Sequence, residues 1–255
     1  PNIFAAFLIF ALFLTYFAIL KNASRIGQNK AKSVIGQAKY VIEVGLLFLL
    51  SLGLMLTFSR SAIAIFSISS LMFFATLIFS KTIIIEKIKV VRIFIVTILI
   101  FISLGFVFRN EIIFRTSNIL SDQSVSQRFF YNEVAINQIL SSPILGVGMG
   151  NFIVDFNTRH SNLAVWQYQP SHNLFLLIAA EIGVLGALLL IIFIIQNLHR
   201  LIRNKINSGD IFTISILFVF FSYLILANFD HYFWTIQQGQ VLFWLVVGIL
   251  NQKEN

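Results

Sequence analysis

The 255-residue chain predicts an all-α protein, a polytopic membrane helix bundle crossing a bilayer about seven times. Three observations carry that reading. The chain is 58% apolar with only 11% charged residues; its apolar stretches run to about twenty residues, the length a bilayer core needs; and its basic residues gather on alternate connections. A soluble domain carries roughly a quarter charged residues, and a mean hydropathy of +0.89 leaves too little polar surface to cover a globule in water. In lipid every backbone polar group must be satisfied within a helix or a closed barrel. Barrel strands would alternate with period two over about ten residues, and these runs are continuous instead.

Seven candidate spans follow in order: Ile3–Leu20, Val41–Phe58, Ala62–Phe79, Val90–Phe108, Leu174–Ile195, Ile211–Ala227 and Tyr232–Leu250. The second and third are separated only by Ser59-Arg60-Ser61, which predicts a tight hairpin. The last is the weakest, because Thr235-Ile236-Gln237-Gln238-Gly239-Gln240 dilutes its first half. Three segments follow: residues 1–108 with four spans, 109–171 as a long extracytoplasmic loop, and 172–255 with three spans and a tail. The chain begins Pro1-Asn2-Ile3 without an initiator Met or a signal-peptide pattern, and is expected to be the C-terminal part of a longer protein. No internal repeat is evident.

Lys and Arg placement sets orientation. Lys21, Arg25, Lys30, Lys32 and Lys39 follow the first span, and Lys81, Lys87, Lys89 and Arg92 the third. Arg200, Arg203 and Lys205 follow the fifth, and Lys253 lies in the tail. This side, with thirteen of the 18 basic residues, is expected to be cytoplasmic. The other five, Arg60, Arg109, Arg115, Arg128 and Arg159, fall outside, and none is a lysine. Planar bidentate guanidinium donors suit phosphate recognition, although five residues could also be arginines by chance. Since topology accounts for most of the +8 net charge, no nucleic-acid partner is expected. The absence of cysteine excludes disulfides, thiolate catalysis and cysteine metal sites.

The one long connection runs from Arg109 to Ser171. A structureless loop of that size is uncommon unless functional or disordered, and Phe129, Phe130, Tyr131, Ile136, Ile139, Leu140, Trp166 and Tyr168 argue against disorder. Gln127–Leu140 reads as an amphipathic helix, with Phe130, Val134 and Ile136–Leu140 toward lipid or protein. Pro143 then stops the helix, and Gly146, Gly148 and Gly150 predict a turn. With no preceding strand, that glycine spacing is not a dinucleotide motif.

Four pieces in order resemble a known family: Ser59-Arg60-Ser61-Ala62, the arginine-led Gln127-Arg128-Phe129-Phe130-Tyr131-Asn132, Ser142-Pro143-Ile144-Leu145-Gly146-Val147-Gly148-Met149-Gly150, and Ser171-His172-Asn173 followed by Glu181-Ile182-Gly183-Val184-Leu185-Gly186. Over residues 59 to about 195 the chain resembles the C-terminal core of the bacterial O-antigen ligase and O-antigen polymerase (Wzy-type) superfamily. The resemblance implies a GT-C-like, metal-independent membrane glycosyltransferase of the bacterial inner (cytoplasmic) membrane, serving lipopolysaccharide or other surface-polysaccharide biosynthesis. Its partners would be membrane lipid, an undecaprenyl-diphosphate-linked glycan donor, and a glycan or lipid A-core acceptor, with no cofactor. Arg60 and Arg128 would bind the diphosphate, and His172 would assist the acceptor hydroxyl.

The residue types suit that chemistry. Charge builds on a diphosphate as the glycosidic bond breaks, and preorganised cations in a water-poor site stabilise it. An acceptor hydroxyl needs a proton acceptor, for which histidine is the usual choice. Ser171 is expected to cap the fifth span and put His172 in its first turn, where the helix dipole would keep the imidazole neutral. Asp230 and His231 could add a second base or an acceptor contact. The plainer readings are a snorkelling Arg60, a surface Arg128, a helix-start His172 and interfacial polarity at Asp230 and His231. Glu181 lies inside a span, where an ionisable group marks function by default. It is expected to pair with a neighbouring helix, with Gly183 and Gly186 allowing close packing, rather than with His172. Glu43 needs no special role.

A transporter or flippase of lipid-linked oligosaccharide would also use arginines. Such proteins tend to have related halves and broken helices at midplane, and the sequence indicates neither. A passive envelope scaffold would need no Arg-Arg-His set.

Overall fold

The computed structural model describes residues 2–25, 33–80, 85–117, 123–201 and 210–252, and among these it is helical with no strand. Lys30, Lys32, Lys81, Arg203, Lys205 and Lys253, which entered the orientation argument, lie outside that set, as do the side chains of Arg25 and Arg115. The helices are α1 (Asn2–Arg25), α2 (Ser33–Leu56), α3 (Arg60–Phe79), α4 (Lys87–Val107), α5 (Arg109–Ser117), α6 (Gln123–Ser141), α7 (Phe152–Arg159), α8 (Leu174–Leu201), α9 (Ile211–Leu226), α10 (Tyr232–Thr235) and α11 (Gln237–Asn251).

Five of them, α1 to α4 and α8, are long and apolar enough to cross a membrane. The sixth expected span, α9, has 16 residues, about 24 Å at 1.5 Å each. The seventh is interrupted: Ile236 takes an extended conformation between four-residue α10 and 15-residue α11. The polar run that diluted this stretch in the sequence is where the helix breaks.

The chain divides into two compact units. The first comprises Pro1–Asn110, Arg200–Tyr223 and Val246–Asn255. Helix association in lipid gains nothing from apolar burial alone and depends on packing. Here aromatic rings supply it: Tyr16 of α1 lies 5.7 Å from Phe73 and 4.9 Å from Phe74 of α3, and Phe13 lies 5.7 Å from Phe66. Phe218 of α9 closes the cluster 5.6 Å from Phe73. Each such ring pair contributes about 0.5–1.5 kcal/mol beyond its area. Ile95, Leu99, Ile102 and Phe106 form an exposed stripe along α4, as a lipid-facing helix requires. Glu43 departs from expectation: it is buried and accepts a hydrogen bond from Asn22, joining α2 to α1.

The second unit comprises Glu111–His199 and Leu224–Leu245. The predicted amphipathic helix forms as α6, but its buried stripe is Tyr131, Val134, Ala135 and Gln138, while Phe130, Ile136 and Leu140 are exposed. Tyr131, Val134 and Ala135 pack with Phe152 and Phe156 of α7 and Leu177 and Ala180 of α8. The Gln138 amide donates to the Phe152 carbonyl at 2.9 Å, so a residue that reads as polar surface ties two helices together. Helix α8 is itself broken at Gly183, with φ 77 and ψ 168. The sequence indicated an unbroken span there.

Candidate functional site

The site begins where two helix ends meet. The first N–H groups and last carbonyls of any helix lack partners within it. At the start of α8, Asn173 Oδ1 accepts from the N–H groups of Phe175 and Leu176 at 3.0 and 3.1 Å. Asn173 is therefore the cap, and the expectation of a Ser171 cap is corrected. His172 stands before the helix, not in its first turn as expected. Ser171 is engaged elsewhere, since its hydroxyl accepts from the Asn173 N–H at 3.2 Å and donates to Asn132 Oδ1 of α6 at 2.7 Å. The Leu174 N–H donates to the Ala227 carbonyl, just past α9, at 2.8 Å.

That last bond brings residues 172 and 230–231 together. His172 Nδ1 lies 3.8 Å from Asp230 Oδ1, and the His172 and His231 rings are 5.2 Å apart. His172 Nδ1 is buried with no hydrogen-bond partner among the described residues, and the Tyr131 ring sits 6.1 Å from the imidazole. Asp230 is buried and its Oδ1 accepts from the His231 N–H at 2.8 Å. His231 Nδ1 lies 2.6 Å from Thr235 Oγ1. Burial lowers the His231 pKa to about 4, with the neighbouring Asp230 charge opposing the shift and His172 adding to it, so this imidazole is neutral at pH 7. One ligand atom from each of His172, Asp230 and His231 lies within 4.8 Å of the others, a set able to hold a divalent ion.

Beside this cluster a cavity of about 330 Å³ is lined by Met149, Phe152, Ile153, Glu181, Trp234 and Thr235, among others. Glu181 is buried and accepts from Trp234 Nε1 at 2.8 Å. As expected it does not pair with His172. Its partner, however, is an indole from the interrupted seventh stretch.

Of the five sequence candidates, His172, Asp230 and His231 converge. Arg128 is half-buried on α6, one turn before Asn132, about 6 Å along the axis. It carries no hydrogen bond or ion pair among the described residues. Arg159, in contrast, is engaged by Asp155 at 2.7 Å and by Ser141, and Arg109 lies over the Phe106 ring at 4.9 Å. Arg60 belongs to the first unit, as the first residue of α3. Sequence reasoning gave no site role to Tyr131, Asn132, Asn173, Trp234 or Thr235. The first three stand in the pieces that resemble the family, and Asn173 is also a capping residue type directly before an apolar run.

A family model described as O-antigen ligase matches residues 45–191, more than half of the chain. The chain belongs to the O-antigen ligase family. Among individually curated proteins none matches. The family segment contains Arg60, Arg128, His172 and Glu181. Asp230 and His231 lie beyond it, so the carboxylate and the second imidazole facing His172 come from outside the matched region. Membership in the O-antigen ligase family makes this a multi-pass membrane protein of the glycan-transferring type, with a lipid-linked glycan and an acceptor as partners in general terms.

Proposed function

We propose that this chain moves a glycan from undecaprenyl diphosphate to an acceptor hydroxyl on the extracytoplasmic side of the bacterial inner membrane, as an O-antigen ligase or surface-polysaccharide polymerase, without a metal. One observation carries the reading: within a glycan-transferring family, a histidine with a buried, unbonded Nδ1 faces a buried carboxylate at 3.8 Å. Such contacts are often long in an empty site and tighten with substrate bound. A hydrogen bond from Nδ1–H to Asp230 would hold the tautomer that leaves Nε2 as proton acceptor, the logic by which a carboxylate orients a catalytic imidazole. The acceptor oxygen then bonds to the anomeric carbon, the bond from that carbon to the diphosphate oxygen breaks, and His172 takes the hydroxyl proton. Undecaprenyl diphosphate leaves with the electron pair. Arg128 holds its phosphates, since guanidinium forks match phosphate oxygens, and His231, neutral at pH 7, contacts the acceptor.

The test is transfer from labelled undecaprenyl-diphosphate glycan by detergent-solubilised protein, with nucleotide and metal omitted and chelator present. Transfer that His172→Ala abolishes supports the reading. Full activity in that variant, or lipid movement without bond cleavage, refutes it, and the latter outcome makes the protein a flippase. The broken helix α8 is the feature that favours that second reading. The mutual proximity of His172, Asp230 and His231 makes the chelator arm informative. Activity lost to chelation and restored by a divalent ion would place a metal in the mechanism.

A further inference from the structure

The apolar run of α8 ends at Ile195, followed by Gln196, Asn197, His199 and Arg200. Counting back about twenty residues for a 30 Å core places the opposite edge near Phe175 or Leu176. Gly183 then lies seven or eight residues inside, about 11–12 Å below that edge at 1.5 Å per residue. In a continuous helix the Val184 N–H would bond the Ala180 carbonyl, and the Glu181 carbonyl would take the next N–H along. The Val184 N–H instead donates to the Pro143 carbonyl at 2.8 Å, and the Ala180 and Glu181 carbonyls accept from Val147 and Gly148 at 2.8 and 2.9 Å. The turn after α6 is thus threaded into the break of a spanning helix. Within the turn, Gly146 N–H donates to the Ser142 carbonyl at 3.0 Å, Ser142 Oγ to the Gly146 carbonyl at 2.8 Å, and Asn151 N–H to the Gly148 carbonyl at 3.0 Å.

Irregular backbone is tolerated at membrane depth where it packs into protein or lines a cavity, and this turn is bonded into α8 through Pro143, Val147 and Gly148. Residues 142–150 carry no charge. Their large side chains are exposed, Ile144 69%, Leu145 80% and Met149 68%, a set that would be costly in water. We propose that Ser142–Gly150 is a re-entrant turn seated in the hydrocarbon of the leaflet on the His172 side, with Ile144, Leu145 and Met149 against acyl chains. The inference is independent of the catalytic proposal, because it rests only on α8 being a spanning helix. It also explains the Gly146-x-Gly148-x-Gly150 pattern, since the backbone of this turn replaces a missing turn of helix.

The 255 residues contain no cysteine, so a single introduced cysteine carries a unique label. Leu145→Cys and Met149→Cys, both at exposed positions, are nitroxide-labelled in protein reconstituted into phosphatidylethanolamine–phosphatidylglycerol vesicles. Accessibility to oxygen, which partitions into lipid, and to a water-soluble nickel chelate is read by power-saturation spectroscopy. Leu189→Cys, on the exposed apolar face of α8, is the lipid reference, and Asn157→Cys on α7 the aqueous one. Both turn labels should match Leu189→Cys, with an oxygen-to-nickel ratio roughly tenfold above that of Asn157→Cys, as the exclusion of polar solutes from hydrocarbon requires. Nickel access like that of Asn157→Cys places the turn in water. Immobile labels shielded from both reagents place it against protein. Either result overturns the proposal.

Discussion

Two glycines with the same backbone angle and different surroundings separate conformational strain from steric exclusion. Gly183 has φ 77 and Gly150 φ 76. A Cβ on Gly150 would meet nothing within 4 Å, whereas on Gly183 it would stand 1.9 Å from the Ile144 carbonyl oxygen and 2.4 Å from its carbon. Gly150→Ala therefore adds only left-handed strain, about 1–2 kcal/mol. Gly183→Ala adds strain in a backbone region nearly reserved for glycine, roughly 1–3 kcal/mol, and also a contact that no rotamer can relieve. The turn must withdraw, giving up the bonds of Val147 to Ala180, Gly148 to Glu181 and Val184 to Pro143. At about 1 kcal/mol net each, these bring the total to about 4–6 kcal/mol.

With roughly 2–4 °C per kcal/mol for a domain of this size, Gly183→Ala should lower the thermal midpoint in detergent by on the order of 10 °C. Gly150→Ala should lower it by about a third as much. The assay is thermal unfolding of the purified variants side by side in one detergent. Equal shifts for the two, or a Gly183→Ala protein that melts with the parent, would mean that the turn does not occupy the break in α8.

Four further outcomes are expected. Burial holds the folded His231 pKa near 4 against 6.5 for the free group, so the unfolded chain takes up this proton first as pH falls. Stability present above pH 6.5 should drain away between about 6.5 and 4, and His231→Asn should lessen that loss in thermal scans against pH. Trp234→Phe leaves the buried Glu181 carboxylate without its 2.8 Å donor and should cost about 1–3 kcal/mol, read as a lowered thermal midpoint. Asn173→Ala removes both cap bonds and should cost about 0.5–2 kcal/mol by the same measurement. In the transfer assay Arg128→Ala should lower activity at least about tenfold, with Arg128→Lys recovering little, because an ammonium cannot reproduce the bidentate fork.

What the sequence revealed and what it concealed divide along a physical line. Spans α1 to α4 and the first part of α8 were legible because lipid imposes a length and a composition that no neighbouring residue alters. The same rule read Tyr232–Leu250 as one continuous helix, and one extended residue, Ile236, interrupts it. The stop at Pro143 and the glycine turn were readable as local chemistry, and all three glycines have positive φ. The destination of that turn was not readable, because it depends on the long-range closeness of Pro143 to Val184 and of Gly148 to Glu181. The cap was misassigned by two residues for a related reason. Ser171 and Asn173 are both capping types, and Ser171 is drawn instead to Asn132, a partner 39 positions earlier that no local pattern announces. His172 was identified through residues that resemble a family, and its nearest charged neighbour, Asp230, lies beyond the segment that family matches.

The proposed catalytic residues sit on irregular backbone rather than on the helices, and helix geometry gives the reason. A helix presents side chains at a fixed rise and rotation, so two groups on one helix meet only at spacings of three or four residues. His172 and His231 are far apart in sequence and could face each other on regular elements only if two helices were aligned to within a fraction of a turn. Helix ends offer another route, because each leaves polar groups that must find partners. The Leu174 N–H at the start of α8 and the Ala227 carbonyl just past α9 satisfy each other at 2.8 Å. That bond fixes two chain directions at one point, and the residues just outside it, His172 on one side and Asp230 and His231 on the other, are carried into contact. The bonds of Asn173 into α8, of Ser171 to Asn132 and of His231 N–H to Asp230 then remove the freedom left to each. Backbone groups that folding must satisfy in any case thus hold the proposed site in place.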